Sequence, residues 1–536
     1  MATQPKSVFD QPSAGTVTHD EPPPGFERPD PSKSRSFFGH PAGLSTLFFT
    51  EMWERFSFYG IRPLLILFMT AALASGGFGF DRTEASAIVG IYASSVYLSS
   101  LPGGWIADRL LGLRRAIFWG AVLITCGHLS IGLSGFAQSK VPFFVGLILI
   151  VLGTGLLKPN ISAIVGDLYP EGGARRDAGF SVFYMGINLG AFAGQIVTGS
   201  LGEKIGWHWG FGAAGVGMLL GLINYTVRSK PTLGSIGVEP SRDPDPVQQR
   251  RSARRGWTTV VTGLAVLALI VVLAGVGAIH LDPKRIGAAM LYVLVGVAVV
   301  YFVVLFAIGK LTGGEKRRMI VIFVLFIFAS IFWAAFEQAP TSLNLFAKDF
   351  TNRTFFGWEV PALWYQSINS LFIILCAPLF GALWLWMAKR NMELSSPSKF
   401  ALGLLMAGVG FAVMIPAANM VVHSGGALKV SSWWLTISYF FQTLGELSLS
   451  PVGLSSMTKL SPRKYVGQMM GIWFLASSVG NLIAGLVGGN VDPEKLEVMP
   501  GLFMWTTVAL VAAAVAIGLL IVPIRTMMRD VPRAEQ

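Results

Sequence analysis

The chain has 536 residues, of which 53% are hydrophobic and only 13% charged, with 62 glycines and a mean hydropathy of +0.59. Soluble domains carry roughly a quarter charged residues, so this deficit excludes an ordinary soluble enzyme and places most of the chain among lipid or other apolar helices. The 41 Lys and Arg against 29 Asp and Glu leave a formal charge of +12, which a membrane protein acquires by decorating its cytoplasmic loops, so basicity is no sign of nucleic-acid binding.

Residues 1–36 are polar and proline-rich and lack the apolar run of a signal peptide, so a disordered cytoplasmic tail is predicted there. Apolar stretches of about 20 residues, long enough to span a bilayer, follow at 45–73, 86–107, 116–136, 141–165, 178–200 and 207–227. They predict an N-terminal six-helix bundle over 37–228. Residues 229–256 contain Pro231, Pro240, Pro244 and a run of arginines, and read as a cytoplasmic linker. An inserted pair at 257–281 and 286–308, within 257–309, holds no Lys, Arg, Asp or Glu. Six further stretches at 320–346, 361–387, 400–422, 430–457, 466–488 and 501–523 predict a C-terminal bundle over 310–524, ahead of a cytoplasmic tail at 525–536. The fold class is therefore an all-α integral membrane protein of 6+2+6 transmembrane helices.

Loops after even-numbered spans hold 22 Lys and Arg, and the alternate loops hold 9. The positive-inside rule then puts both termini in the cytoplasm of a multi-pass protein. Only Arg55, Arg62 and Lys158 among the basic residues lie within spans, where a charge is costly and marks function by default.

Arg55 and Arg62 share the first span with Glu51 and Glu54, in TEMWERFSFYGIRPLL. Glu51, Arg55, Tyr59 and Arg62 recur at spacings of four, four and three, which aligns them on one helical face along roughly 16 Å. Such a stripe must face neighbouring helices or a wet cavity. Glu51 and Arg55 stand at i and i+4, and two acids with two bases exceed what stapling one helix requires. Lys158, in GTGLLKPNISAIVGD, has no acid of its own span nearby. Its candidate partners are Glu54 in the same half and Glu337 or Glu446 in the other, and only a pair across the halves could gate a pathway. Glu337, in FWAAFEQAPTSL, likewise has no base within its span, which leaves Arg62 as a cross-half partner. Pro63, Pro159, Pro340 and Pro451 fall close to these charges, and proline-bent helices with ionisable groups near mid-membrane build transporter sites.

Cys126 and Cys376 are far apart in apolar runs, the six histidines lack ligand spacing, and no Gly-rich phosphate loop or catalytic triad is present. No metal, no cofactor and no enzyme activity are expected.

The run GGWIADRLLGLRRAI, with Asp108, Arg109, Arg114 and Arg115 in a short cytoplasmic loop, resembles the loop signature of the major facilitator superfamily. A charged turn there could latch the cytoplasmic face in one conformation. TEMWERFSFYG, GGWIADRLLG and FYMGINLGAF resemble the first-, second- and fifth-helix signatures of the proton-dependent oligopeptide transporters, and the inserted pair resembles the bacterial members. The resemblance covers about 37–523 and implies a major facilitator fold of two pseudo-symmetric bundles, a bacterial inner-membrane location, and import of di- and tripeptides with protons by alternating access in a monomer. It further implies proton coupling through Glu51, Glu54, Arg55 and Glu337. Arg62 and Lys158 match basic groups near the peptide carboxylate, and Glu446 matches the acid for its amino group. Tyr59, Tyr97, Asn188, Trp333, Asn369, Ser450 and Trp473 match pocket-lining positions. The gate pairs become Arg62 with Glu337 and Lys158 with Glu446. Phe58 stands where a tyrosine is usual, and QAPTSLN follows Glu337 where many members carry a glutamine-glycine-serine run. The other readings are symport of another small solute such as nitrate, which leaves Glu446 without a use, and a membrane receptor or channel without coupled transport.

Overall fold

The computed structural model describes residues 37–134, 139–170, 173–240, 246–392 and 394–527. The predicted N-terminal tail and all but the start of the C-terminal one lie outside the described residues. Sixteen α-helices follow one another among the described residues. They are α1 Ala42–Thr70, α2 Arg82–Ile106, α3 Leu113–Ser134, α4 Lys140–Asp167, α5 Gly173–Lys204, α6 Trp207–Leu233, α7 Pro246–Gly275, α8 Pro283–Ile308, α9 Gly313–Phe336, α10 Asn344–Phe350, α11 Trp364–Lys389, α12 Ser396–His423, α13 Trp433–Leu460, α14 Val466–Gly488, α15 Val498–Leu519 and α16 Ile521–Met527.

Twelve helical segments are long and apolar enough to cross a membrane on composition alone. The helices α1 and α13 fall outside that set although they are 29 and 28 residues long. They carry Glu51, Glu54, Arg55 and Arg62, and Glu446, so the polar cargo that lowers their hydropathy is the cargo the neighbouring helices enclose.

Local chemistry sets where the helices begin. The Asp81 carboxylate accepts from the amides of Thr83 and Glu84 at 2.9 and 3.2 Å, and Asp282 does the same for Lys284 and Arg285, satisfying first-turn donors that have no partner inside the helix. Thr312 and Glu315 form a reciprocal capping box at α9. The segment 229–256 is more helical than its prolines suggest: α6 runs through Pro231 to Leu233 and α7 already begins at Pro246. A proline in a first turn costs a helix nothing, because that N–H has no acceptor there.

Helices α1 to α6 pack on one another, with α1 against α5 and α6 and α3 against α4; α12 packs against α13 and α15, and α14 against α9. This is the two-bundle, all-helical major facilitator arrangement. The bundles meet where α2 lies along α14 and α5 along α11. At the first seam small residues bring the two backbones together: a Cβ on Gly90 would stand 2.7 Å from the Gly485 Cα, and the Ser478 hydroxyl donates to the Ser94 carbonyl at 3.2 Å. Small residues let two backbones approach closely where lipid supplies no hydrophobic drive. Helix α8 packs against both α2 and α14, and its last turn is clasped by the α13–α14 connection, with Lys464 Nζ and the Tyr465 hydroxyl donating to the Gly309 carbonyl at 2.9 and 3.0 Å.

The charged loop predicted between the second and third spans is barely a loop. Residues Ala107–Leu111 continue α2 as a wide helical turn, and only Gly112, at φ +81°, separates them from α3. A side chain at Gly112 would also collide with the Val238 carbonyl. Arg114, in the first turn of α3, donates to the Gly234 carbonyl at 2.7 Å, and its amide bonds the Gly237 carbonyl at 2.8 Å. In this structure, therefore, Arg114 fastens α3 to the segment after α6, inside its own bundle, rather than latching one bundle to the other; among the described residues Asp108, Arg109 and Arg115 form no cross-bundle ion pair.

Candidate substrate and proton site

The polar stripe predicted on the first helix is present and buried. Glu51, Glu54 and Arg55 are at most 2% exposed and Arg62 is 5% exposed. Arg55 Nε lies 3.0 Å from Glu51 Oε1 and also pairs with Glu54. Its guanidinium sits 5.3 Å from the Phe58 ring centre and 5.9 Å from that of Tyr59, so aromatic faces supply what attraction water no longer does. Two carboxylates on one guanidinium leave one negative charge, and among the described residues the other cation in electrostatic reach of Glu51 is Lys158.

Two helical turns beyond Arg55 on α1, Arg62 Nη2 donates to Glu337 Oε2 at 2.5 Å and to Asn481 Oδ1 at 2.5 Å. The first of these is the cross-bundle pair expected from the isolation of Glu337. The chain breaks where Glu337 sits: α9 ends at Phe336, and a wide turn over Ala339–Leu343 leads into α10. Pro340 has no N–H to return to the Phe336 carbonyl, and the Leu343 amide reaches back five residues to the Gln338 carbonyl instead. The loosened turn offers the acid to the opposite bundle. Asn344, just past it, donates to the Pro63 carbonyl of α1 at 2.8 Å.

The other expected gate is not closed here. Lys158 Nζ stands 4.0 Å from the centre of the Tyr97 ring, and among the described residues it is paired with no carboxylate. Glu446 instead accepts from Asn369 Nδ2 at 3.3 Å, while the same amide bonds Thr443 at 2.9 Å. Both side chains are half-buried and stand available.

Of the pocket-lining candidates, Tyr59 and Tyr97 interact electrostatically with Arg55, Arg62 and Glu337. Asn369 supports Glu446. Trp333 is 9% exposed with its indole N–H unpartnered, one turn before Glu337. Trp473 packs over Gly453, beyond Ser450 on α13. Asn188 is buried and donates to the Tyr184 carbonyl of its own helix at 3.0 Å. Sequence reasoning missed Asn481, Thr443, Tyr184 and Tyr92. Tyr184 lies within electrostatic reach of Glu446, and Tyr92 of Glu54 and Arg62. A signal existed for Asn481, a lone amide in the middle of the apolar run GIWFLASSVGNLIAGLVGG.

Beyond Arg62, toward the end of the molecule where α2 begins, further contacts close the bundles on each other. Arg82 Nη1 bonds Asp349 at 2.7 Å and the Val491 carbonyl at 3.0 Å, with Asp492 at 3.8 Å. Glu203 of α5 accepts the amides of Ala362 and Leu363, both at 2.9 Å, and has Arg353 at 3.7 Å. An apolar groove of about 620 Å³ between α9, α14 and α15, lined by Trp505 and Leu502, lies apart from this central site.

The family model described as the POT family matches residues 114–498. That is well over half of the chain. The chain belongs to the POT family. Among its POT relatives is a peptide transporter of Yersinia enterocolitica subsp. palearctica, 50% identical over 499 residues that cover 92% of this chain and 97% of that one. Dipeptide and tripeptide permease A of Escherichia coli is 30% identical over 512 residues, covering 94% and 97%. A crystal structure of a POT peptide transporter in complex with sulfate superposes with a TM-score of 0.83 at 39% identity, over 93% of this chain and 98% of that one. A variant of a POT peptide transporter in complex with alafosfalin matches at 0.83 and 40%, over 93% and 98%.

Proposed function

We infer that this POT-family chain is a multi-pass membrane transporter, not an enzyme, and that it imports di- and tripeptides together with protons by alternating access. The observation that carries this reading is a charge imbalance in one enclosed site. Glu51, Glu54, Glu337 and Glu446 face Arg55, Arg62 and Lys158, four acids against three bases. Burying an uncompensated charge costs several kcal/mol, so the site is neutral only with a proton or another cation aboard. A peptide is a zwitterion, and removing it from water requires a fixed cation and a fixed anion on opposite walls. Lys158 and Arg62 come from one bundle and Glu446 from the other. A bound peptide, carrying no net charge, leaves the deficit of one proton intact, which is the physical root of symport.

The proton acts on a gate. Protonating Glu337 cancels its attraction for Arg62 and frees the closed end, while peptide or the Lys158–Glu446 pair closes the other. The excess of basic residues in alternate loops supports an orientation with both termini and the α6–α7 connection in the cytoplasm, the Arg82 end facing outward, and a bacterial inner membrane as the location. A monomer suffices, because both walls of the site come from one chain. A nitrate-type symporter is the weaker reading, since Glu446 would repel its cargo.

Uptake of labelled di- and tripeptides into liposomes with an inward proton gradient tests substrate and coupling together. Accumulation that is competed by peptides and not by amino acids or nitrate is expected. Accumulation of nitrate, or peptide equilibration indifferent to the gradient, would overturn the reading.

A further inference from the structure

Arg62 offers two protons on Nη2, and both are used: one goes to Glu337 Oε2 and the other to Asn481 Oδ1, each at 2.5 Å. The orientation of the Asn481 amide is fixed independently, because its Nδ2 donates to the Ser477 carbonyl at 2.9 Å. Its oxygen must then face Arg62 as an acceptor. Asn481 is 1% exposed and sits on the α14 face that meets α2 through Ser478 on Ser94 and Gly485 on Gly90. The arginine of one bundle is thus held by two residues of the other, one that titrates and one that does not.

We propose that Asn481 is a positioning residue of the gate, a proton-independent second acceptor that sets how far protonation of Glu337 opens the closed end. The inference rests on the proton-coupled reading above. When Glu337 is protonated, the charge attraction is gone but the Asn481 carbonyl still accepts from Arg62. That residual hold lowers the open population at every pH. Removing it moves the pH at which the gate opens upward; replacing it with a carboxylate moves that pH downward, because two acids must then be neutralised. The charged and titratable groups around Arg62 and Glu337 are Tyr59 and Arg55 of α1, Tyr92 and Tyr97 of α2, Lys158 of α4 and Glu446 of α13. All are unchanged between the two substitutions, so none accounts for opposite shifts.

The test compares Asn481→Leu and Asn481→Asp, both near-isosteric, with the unaltered protein in liposomes across pH 5 to 8. Hydrogen bonds to a charged partner are worth about a tenfold change in population. The midpoint of proton-driven uptake should therefore rise by about one pH unit for Leu and fall by about one for Asp. A second readout covers loss of transport: with Cys126 and Cys376 replaced by serine, a cysteine at Ser94, buried against Ser478, should label with a maleimide roughly tenfold faster in the Leu variant and slower in the Asp variant. Asn481→Ser, which keeps a polar group but not its reach, should raise the midpoint as Leu does and replaces that variant if the apolar side chain disturbs insertion. Shifts in the same direction, or unchanged profiles in both variants, would overturn the proposal. Failure of the unaltered protein to take up peptide with protons would instead fall on the function reading.

Discussion

The two ends of the central site are built from similar parts and stand in opposite states. At the Arg82 end the bundles are joined by several polar contacts: Arg62 holds Glu337 and Asn481, Arg82 holds Asp349, and Glu203 caps the start of α11. At the other end Lys158 rests on the Tyr97 ring and Glu446 on Asn369, each within its own bundle. The difference teaches that the resting partners are neutral or aromatic while the alternative partners are ionic. A lysine over a ring and a glutamate on an amide are satisfied at modest strength, about 1 kcal/mol each, so they can be exchanged for each other or for the two ends of a peptide. The closed end is held by charge pairs that only a proton or a competing charge dissolves.

The largest effect should come from neutralising the acid of the closed gate. Glu337→Gln leaves Arg62 buried without a counter-charge, a loss of order 3 kcal/mol or more; proton-driven accumulation should drop about a hundredfold. Peptide exchange between equal compartments should survive, and its rate should no longer vary with pH. A Glu337→Gln protein with the unaltered pH profile would move proton binding to Glu51 and Glu54.

The next substitution probes the open end. In a background without Cys126 and Cys376, cysteines at Lys158 and Glu446 should cross-link only when the outward-open state is favoured. Equal cross-linking under all conditions would erase the contrast between the ends. Arg82→Ala should matter less, because Arg62 and Glu203 remain: opening of the outer end becomes easier by about 1–2 kcal/mol, read as faster labelling of a cysteine at Ser94, with uptake reduced several-fold.

The smallest effect belongs to a cap that closes nothing. The Thr83 hydroxyl and the amides of Thr83 and Glu84 hold the Asp81 carboxyl below the usual carboxylate range. Asp81→Ala should cost about 1 kcal/mol of thermal stability. Since a lowered value means the stabilising form is the ionised one, the difference in Tm should be constant from pH 5 to 8 and vanish under strongly acidic conditions. Transport should be unaltered, in contrast to Arg82→Ala one residue away.

Much of this was legible before any coordinates. Hydrophobic length gives the helices, and helical spacing aligns Glu51, Arg55, Tyr59 and Arg62, because both depend only on neighbours within one segment. Glu337 was matched to Arg62 by isolation, having no base along its own helix. Partner choice elsewhere was not legible. The rivals for Lys158 were all carboxylates, whereas the structure seats it on Tyr97, a contact decided by how α4 lies beside α2. Asn481 carries no charge to draw notice, and Arg82 and Glu203 sit at helix ends, in the first turn of α2 and the last of α5, whose meeting with the other bundle depends on how the bundles close. The prolines of 229–256 suggested a linker because the helix ends cannot be seen in the sequence: Pro231 falls in the last turn of α6, and Pro246 opens the first turn of α7, where a missing N–H does no harm.

The contact of Gly90 with Gly485 bears on how the molecule moves. Helices that meet through large side chains interlock as gear teeth do, ridge in groove, and change their relation only in jumps of a residue row. Where α2 meets α14 the teeth are missing, and two bare backbones touch with small hydroxyls on either side. Such a surface offers little steric resistance to one bundle turning on the other, and the Arg62–Asn481 contact lies on the same face of α14.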